Sequence, residues 1–283
     1  MNAKMVPMKQ YLTVVGHVAF DVNETPVGKK RVLGGAGYYS ALGASLFTKR
    51  VRLIARVGRN YDLNRLRKLG INLEGITAHK LLATAEFRQK YDEDFQMKYF
   101  HARLKASGKL RPTDLKEEYI DAKFIHLPTA PPKQQAELAE RAKRLNPEAV
   151  VSIDVFEPYI RKWPGLVKRA IASAQIIFMN SREYELLREY TELKGKTLVI
   201  KQGKKGARLI TPRSDLMVSA PAVKCVDPTG AGDVLAGAFL ALRAGGKSYK
   251  DALTKAVEIA SHSVTDFGVQ HILDGKTEHV RRS

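Results

Sequence analysis

Asp227-Pro228-Thr229-Gly230-Ala231-Gly232-Asp233, running on into Val234-Leu235-Ala236-Gly237-Ala238-Phe239-Leu240-Ala241-Leu242, is the stretch whose reading decides the fold. An apolar, strand-like run ends near Val226, Gly230 and Gly232 bracket the small Ala231, and an apolar helical pattern begins at about Asp233. A glycine-rich turn that opens a helix leaves the first backbone N–H groups without intrahelical partners. The helix dipole adds partial positive charge at the same end. Such a turn is an anion site, and phosphate is the common biological anion. Asp233 does not belong to simple anion binding, because a carboxylate repels bound phosphate. It has a use if it accepts the proton of a hydroxyl attacking that phosphate. Aspartate, anion turn and helix together point to phosphoryl transfer, where positioning and charge stabilisation supply most of the catalysis. The plainer reading is that Asp227 and Asp233 cap a buried helix, as aspartate often does.

The composition bounds the rest. A length of 283 residues suits one large α/β domain, and a hydrophobic share of 44% is enough for a sizeable core. No run approaches the roughly 20 apolar residues of a membrane helix, and the first ten residues lack the apolar stretch of a signal peptide. The single cysteine, Cys225, excludes an internal disulfide framework. It falls in the run before the turn and is expected to be an inert buried thiol in a strand. These features point to the cytoplasm and to no membrane partner. Lys plus Arg is 48 against 29 Asp plus Glu, a formal charge of +19. Such a field attracts polyanions, so nucleic acid is a possible partner. The basic residues are scattered, however, and the densest groups, such as Lys29-Lys30-Arg31, Lys204-Lys205 and Arg281-Arg282, are short. A solvated basic surface that steers anionic nucleotides is the favoured account, with no nucleic acid expected.

Along the chain, Tyr11 to Val15 reads as a strand leading into Gly16-His17 and then Asp21. A strand ending this way delivers side chains to the carboxyl edge of a parallel sheet, where ligands bind; Asp21 could also be a turn aspartate. His17 reads as a turn or supporting residue. Asn23 to Lys30 is polar and turn-like, and Gly34-Gly35-Ala36-Gly37 opens an apolar helical pattern reaching Phe47. Residues 84–91 and 96–104 alternate around Asp92-Glu93-Asp94, a hairpin signal. From Ala122 strands are expected near 123–127, 149–154, 175–179, 197–201 and 206–211, and helices near 133–145, 160–173 and 181–190. That alternation is the pattern of a mostly parallel sheet wrapped by helices. Asp154 closes one strand. Asn180 and Glu183 share a helix face at the start of another helix, a spacing that also makes a capping box. Lys201, Gly203 and Gly206 belong to a glycine turn between strands.

Asp227–Asp233 resembles the C-terminal signature of the ribokinase-like (PfkB-type) carbohydrate kinases, and the likeness runs from about residue 11 to 272. It implies a ribokinase-like α/β fold over 1–283, with a small β-lid formed by about 22–33 and 83–104. It places the catalytic base on Asp233 and the anion hole on the backbone of Gly230, Ala231 and Gly232. Substrate contacts fall on Asp21, on Gly34 and Gly35 as a hinge, and on Asp154, which could instead cap the next segment. Nucleotide contacts fall on Asn180, Lys201, Gly203, Gly206, Thr229 and Gly232, and Mg2+ is met through water at Glu183. Tyr39 stands where ribokinase-type members usually carry a sugar-binding asparagine, which puts a ring at the pocket and ribose itself in doubt.

The resemblance implies an ATP-dependent kinase requiring Mg2+. Gly16-His17, Asp21 and Gly34-Gly35-Ala36 look similar to inositol kinases of the family, so the expected acceptor is a small sugar or cyclic polyol such as myo-inositol. The alternative is a nucleoside of the cytidine or adenosine type. A second alternative is a nucleic-acid-binding protein on a kinase fold. A monomer and a homodimer are both compatible with the lid. A large pocket that stacks an aromatic ring on a base favours the nucleoside; a compact pocket lined with hydroxyl partners favours the polyol.

Overall fold

The computed structural model describes residues 10–273; the first nine residues and the Arg281-Arg282 pair lie outside them. The chain begins with β1 (Gln10–Val15), β2 (Ala19–Thr25), β3 (Gly28–Gly34), α1 (Ala36–Ser45), β4 (Val51–Gly58), α2 (Asn64–Lys68) and β5 (Ile76–His79). It continues through β6 (Ala85–Tyr91), β7 (Met97–Arg103), β8 (Ala122–Leu127), α3 (Pro132–Leu145), β9 (Val150–Asp154), α4 (Glu157–Lys162), α5 (Pro164–Ser173), β10 (Ile176–Asn180) and α6 (Ser181–Leu187). It closes with β11 (Thr197–Lys201), β12 (Ala207–Thr211), β13 (Ser214–Val218), α7 (Ala231–Ala244) and α8 (Tyr249–Ser263).

Nine strands form the main sheet in the order β13-β12-β11-β10-β9-β8-β1-β4-β5. Every pairing from β11 through to β5 is parallel, and the β11-β12-β13 end is antiparallel. The central strands are continuous apolar runs because helices cover both faces. On one face Leu12, Val14, Phe178 and Val199 meet α1, α7 and α8 through Leu42, Phe239 and Ile259. On the other, Val15, Ile125, Ile153, Ile177 and Ile200 meet α3 and α5 through Leu138, Ala139 and Ile171. Helix α7 is buried on nearly all sides from Val234 to Ala244, as its unbroken apolar sequence requires. It crosses α1 so closely that a Cβ at Gly237 would stand 1.9 Å from the Ser40 carbonyl oxygen. That crossing ties the turn at the start of α7 to the glycine cluster at the start of α1.

A second sheet, β3-β2-β6-β7, forms the lid. Strands β2 and β6 pair in parallel, and β3 and β7 flank them antiparallel. Residues 19, 21, 23 and 25 of β2 and 85, 87, 89 and 91 of β6 are buried, so one lid face looks inward. Strands β2 and β3 span 19–34 against the 22–33 anticipated, and β6 and β7 span 85–91 and 97–103, slightly shorter than the runs 84–91 and 96–104.

Four local expectations change. Residues 23–25 and 28–30, read as turn-like, are strand, because β2 and β3 are joined by only Pro26 and Val27. No strand precedes the anion turn. Residues 219–229 are irregular, since β13 already closes the sheet edge and Pro221 and Pro228 lack the N–H a ladder needs. Cys225 is therefore half-buried in a loop rather than in a strand, and burial pushes its thiol up to about 11. The helix expected over 160–173 breaks at Trp163-Pro164, where Pro164 starts α5 at a position that needs no N–H. The polar alternation of β13 gave no apolar run to mark it.

Candidate active site

Asp154, Asn180 and Lys201 are the last residues of β9, β10 and β11, at the carboxyl ends of parallel strands. Asp21 lies on lid strand β2 beside the end of β1. The anion turn arrives from the other side at the start of α7. Gly230 caps that helix with φ 79°, and a Cβ there would stand 2.5 Å from the Tyr39 ring, so only glycine fits both the conformation and the space. The Ala231 N–H reaches only a distant carbonyl, that of Pro228 at 3.3 Å. Gly232 and Asp233 fall in the first helical turn, where no carbonyl of the helix stands behind the N–H.

Asp21, Gly35, Tyr39, Thr229, Gly230 and Asp233 line one pocket, with a cavity of about 170 Å³. Asp21 is fully buried, and its Oδ2 accepts the Tyr39 hydroxyl at 2.8 Å and the Gly35 N–H at 3.4 Å. Gly35 has φ 93° and sits against the His17 carbonyl, while a Cβ at Gly34 would overlap the Asp21 carboxyl. The two glycines thus let the chain turn tightly around Asp21, with Gly34 behind it rather than in the pocket. Tyr39 reaches the pocket wall, but Asp21 takes its hydroxyl and Gly230 covers its ring. Burial raises Asp21 to about 7, against the pull of its bonds to Tyr39 and Gly35.

A charged cluster adjoins the turn. The Lys201 ammonium pairs with Asp154 Oδ2 and lies 3.1 Å from where a Gly232 Cβ would stand. A phosphate seated on the turn would therefore meet Lys201. Burial raises the Asp233 carboxyl well above the ordinary range, Asp154 adds to this, and the Lys201 charge opposes it. Asn180 and Glu183 form a full capping box: Asn180 Oδ1 accepts the Glu183 N–H at 2.9 Å and Glu183 Oε2 accepts the Asn180 N–H at 2.6 Å. Glu183 Oε1 also accepts the Glu157 N–H at 3.0 Å, so both carboxylate oxygens hold backbone. Burial raises this group to about 7. Gly203 and Gly206 shape the turn after Lys201, closed by the Gln202 N–H on the Gly206 carbonyl at 2.8 Å, and lie outside the pocket.

The model of the pfkB family carbohydrate kinases matches residues 8–275. The chain belongs to the pfkB family. It is an ATP-dependent phosphotransferase acting on a small molecule. It is similar to the cytidine kinase of Thermococcus kodakarensis, 28% identical over 91% of this chain and 97% of that one. It is also similar to a nucleoside kinase of Methanothermobacter thermautotrophicus, 26% identical over 96% of this chain and 94% of the relative. Among solved structures, a Burkholderia thailandensis nucleoside kinase in complex with inosine superposes with a TM-score of 0.81 at 19% identity, covering 92% of each chain. The ribokinase of Thermotoga maritima superposes at 0.74 and 22% identity, over 93% of this chain and 95% of the other. These share the ribokinase-like fold. No helix among the described residues is long and apolar enough to cross a membrane.

Several pocket residues of this pfkB kinase escape a reading by motif. Phe87, Gln89 and Tyr91 project from the inner face of β6, and Phe156 and Tyr159 come from the segment after β9. Phe100, on β7, stands 6.0 Å from Phe87 and edge-on to Phe156 at 5.7 Å, and Phe156 meets Tyr159 at 5.2 Å. The every-other-residue pattern of Phe87, Gln89 and Tyr91 was the available signal, but only the β2–β6 pairing shows that this face covers Asp21. His17 also lines the pocket, 3% exposed, and burial lowers its imidazole to about 4, so it is neutral near pH 7.

Proposed function

We propose that this kinase phosphorylates a nucleoside, transferring the γ-phosphoryl group of ATP to a ribose hydroxyl. The observation that carries this is the division of the pocket. Its floor, beside the anion turn, is polar through Asp21 and Asp233; its outer wall is aromatic through Phe87, Phe100, Phe156 and Tyr159. A nucleoside divides the same way, into a hydroxylated sugar and a flat base that aromatic rings accept. The cyclic-polyol reading leaves that wall without a partner, and the relatives named above are a cytidine kinase, nucleoside kinases and a ribokinase.

The acceptor hydroxyl lies against Asp233, which takes its proton as the oxygen attacks the γ-phosphorus. The bond from that phosphorus to the β–γ bridging oxygen breaks, and ADP leaves. The backbone of Gly230, Ala231 and Gly232 faces the charge on the transferring group, and Lys201 stands beside the same turn. Asp21 and the Gly35 backbone position the acceptor, with Gly34 behind Asp21. Mg2+ bound with the nucleotide would offset the charge of the phosphates. Glu183 would meet it only through water, because both its oxygens hold backbone amides.

The test is ADP release with Mg2+ and ATP across a panel of nucleosides, sugars and polyols. Turnover is expected on nucleosides, and Asp233→Asn should lower kcat by several orders of magnitude while nucleotide binding persists. Turnover confined to a polyol would reverse the choice of acceptor. Near-normal turnover by the Asp233→Asn protein would reject its role as base.

A further inference from the structure

Asp21 and Gln89 both line the pocket, both side chains are buried, and neither Asp21 Oδ1 nor Gln89 Oε1 has a hydrogen-bond partner among the described residues. Buried acceptors are rarely left unpaired, because the lost solvation is not repaid. The two side chains share one lid face. Strands β2 and β6 run parallel with Asp21 opposite Phe87 and Asn23 opposite Gln89, so Asp21 and Gln89 are diagonal neighbours. The Gln89 amide nitrogen lies close enough to the Asp21 carboxyl to act on it as a weak donor, which leaves Gln89 Oε1 as the free acceptor of that side chain. The other carboxylate oxygen, Oδ2, is already held by Tyr39 and Gly35, which leaves Oδ1 for a ligand. Around Gln89 the face is otherwise aromatic, with Phe87 and Tyr91 two residues to either side and Phe100 directly opposite on β7. Packing alone would put an apolar side chain there.

We propose that Gln89 is a specificity-determining residue that reads a vicinal diol jointly with Asp21. Gln89 Oε1 accepts from one hydroxyl and Asp21 Oδ1 from its neighbour. The proposal rests on the nucleoside reading. In a ribonucleoside the primary hydroxyl is the one free to extend to Asp233, and the secondary pair is the diol left to face the lid. An analogue lacking one of that pair would leave a buried acceptor unpaired, the situation in which sites discriminate most strongly.

The experiment compares kcat and KM for one ribonucleoside and its 2′-deoxy and 3′-deoxy analogues, in the wild-type protein and in Gln89→Leu. Leucine is close in size and suits the aromatic surroundings. Wild type is expected to favour the ribonucleoside by about 10- to 100-fold over each analogue. In Gln89→Leu, kcat/KM for the ribonucleoside should fall by a similar factor, mainly through KM. For the analogue that lacks the hydroxyl read by Gln89 it should stay the same, so that selectivity against that analogue alone disappears. A merely structural role would depress all three substrates together, and that result would overturn the proposal. So would unchanged selectivity in the variant, or a wild type that does not distinguish the analogues. A wild type that phosphorylates no nucleoside would instead remove the nucleoside reading, and the diol clamp with it.

Discussion

At the scale of single residues the pocket holds charge at a cost to stability. Asp21 is buried beside Tyr39, and its folded-state value of about 7 stands above the ordinary 3.8. The folded chain therefore keeps a proton that the unfolded chain releases. The associated stability is complete below about pH 4 and is lost as pH rises through 7. Asp21→Asn keeps an acceptor for the Tyr39 hydroxyl and removes the ionisation. Its melting temperature should exceed that of wild type, by more at pH 8 than at pH 5, with a gain on the order of a few kcal/mol at the higher pH. Thermal unfolding at the two pH values measures this, and a gain independent of pH would show that Asp21 is not the group under strain. The same substitution should raise the KM for the acceptor, because an aspartate kept at this cost is kept for its ligand. Lys201 balances the opposite side of the site. It is the cation that holds Asp154 and offsets the burial of Asp233. The sequence showed Lys201 beside a glycine turn but not its proximity to Asp154, Glu183 and Asp233, which come from the end of β9, from α6 and from α7.

At the scale of elements, the lid is fastened to the anion turn. Asn23 on β2 donates to Asp227 Oδ2 at 2.6 Å, and the same aspartate accepts the Thr229 N–H at 3.0 Å and the Gly268 N–H at 3.2 Å. From β6 the Tyr91 hydroxyl meets the Thr229 hydroxyl at 2.9 Å. Two neighbouring lid strands are thus bonded to the glycine turn that opens α7. Tyr91→Phe removes one of these buried bonds, worth about 1–3 kcal/mol where a partner is left unpaired, so acceptor affinity should weaken by roughly tenfold. Trp163, the one tryptophan of the sequence, reports on this directly. It packs 5.7 Å from Tyr159 in the pocket wall, so filling the pocket should change its fluorescence. Titration of acceptor into wild type and Tyr91→Phe gives both affinities; equal values would mean that the bond does not hold the lid. The anion turn, the Asn180–Glu183 box and the lid hairpin were legible in sequence because each is local, with its partners a few residues apart. The aromatic wall was not, since Phe87, Phe100 and Phe156 come from three separate elements. The absence of a strand before the turn was equally hidden, because an apolar run says nothing about whether a sheet edge remains open to receive it.

Over the whole molecule the remaining feature is charge. A formal +19 is spread along the chain rather than gathered into one tract, and many of the basic side chains are already engaged. Arg56 pairs with Asp114 at 2.7 Å, Arg208 with Asp215 at 2.5 Å, and Arg169 with Glu140 at 2.9 Å. The excess beyond such pairs forms a diffuse positive field, which acts on polyanions over about 10 Å at 0.1 M salt. ATP is a polyanion and the proposed nucleoside acceptor is neutral, so the field should act on one substrate only. Raising the salt from 20 to 300 mM should lower kcat/KM for ATP by about tenfold, within the range known for electrostatic steering. KM for the nucleoside and kcat should change less than twofold, because the field gathers the nucleotide without entering the chemical step. If kcat fell in parallel, the surface charge would be stabilising the transferring phosphoryl group itself. If the ATP dependence stayed flat, the charge would have another use, and salt-sensitive retention on DNA or RNA would then favour the nucleic-acid reading over the steering one.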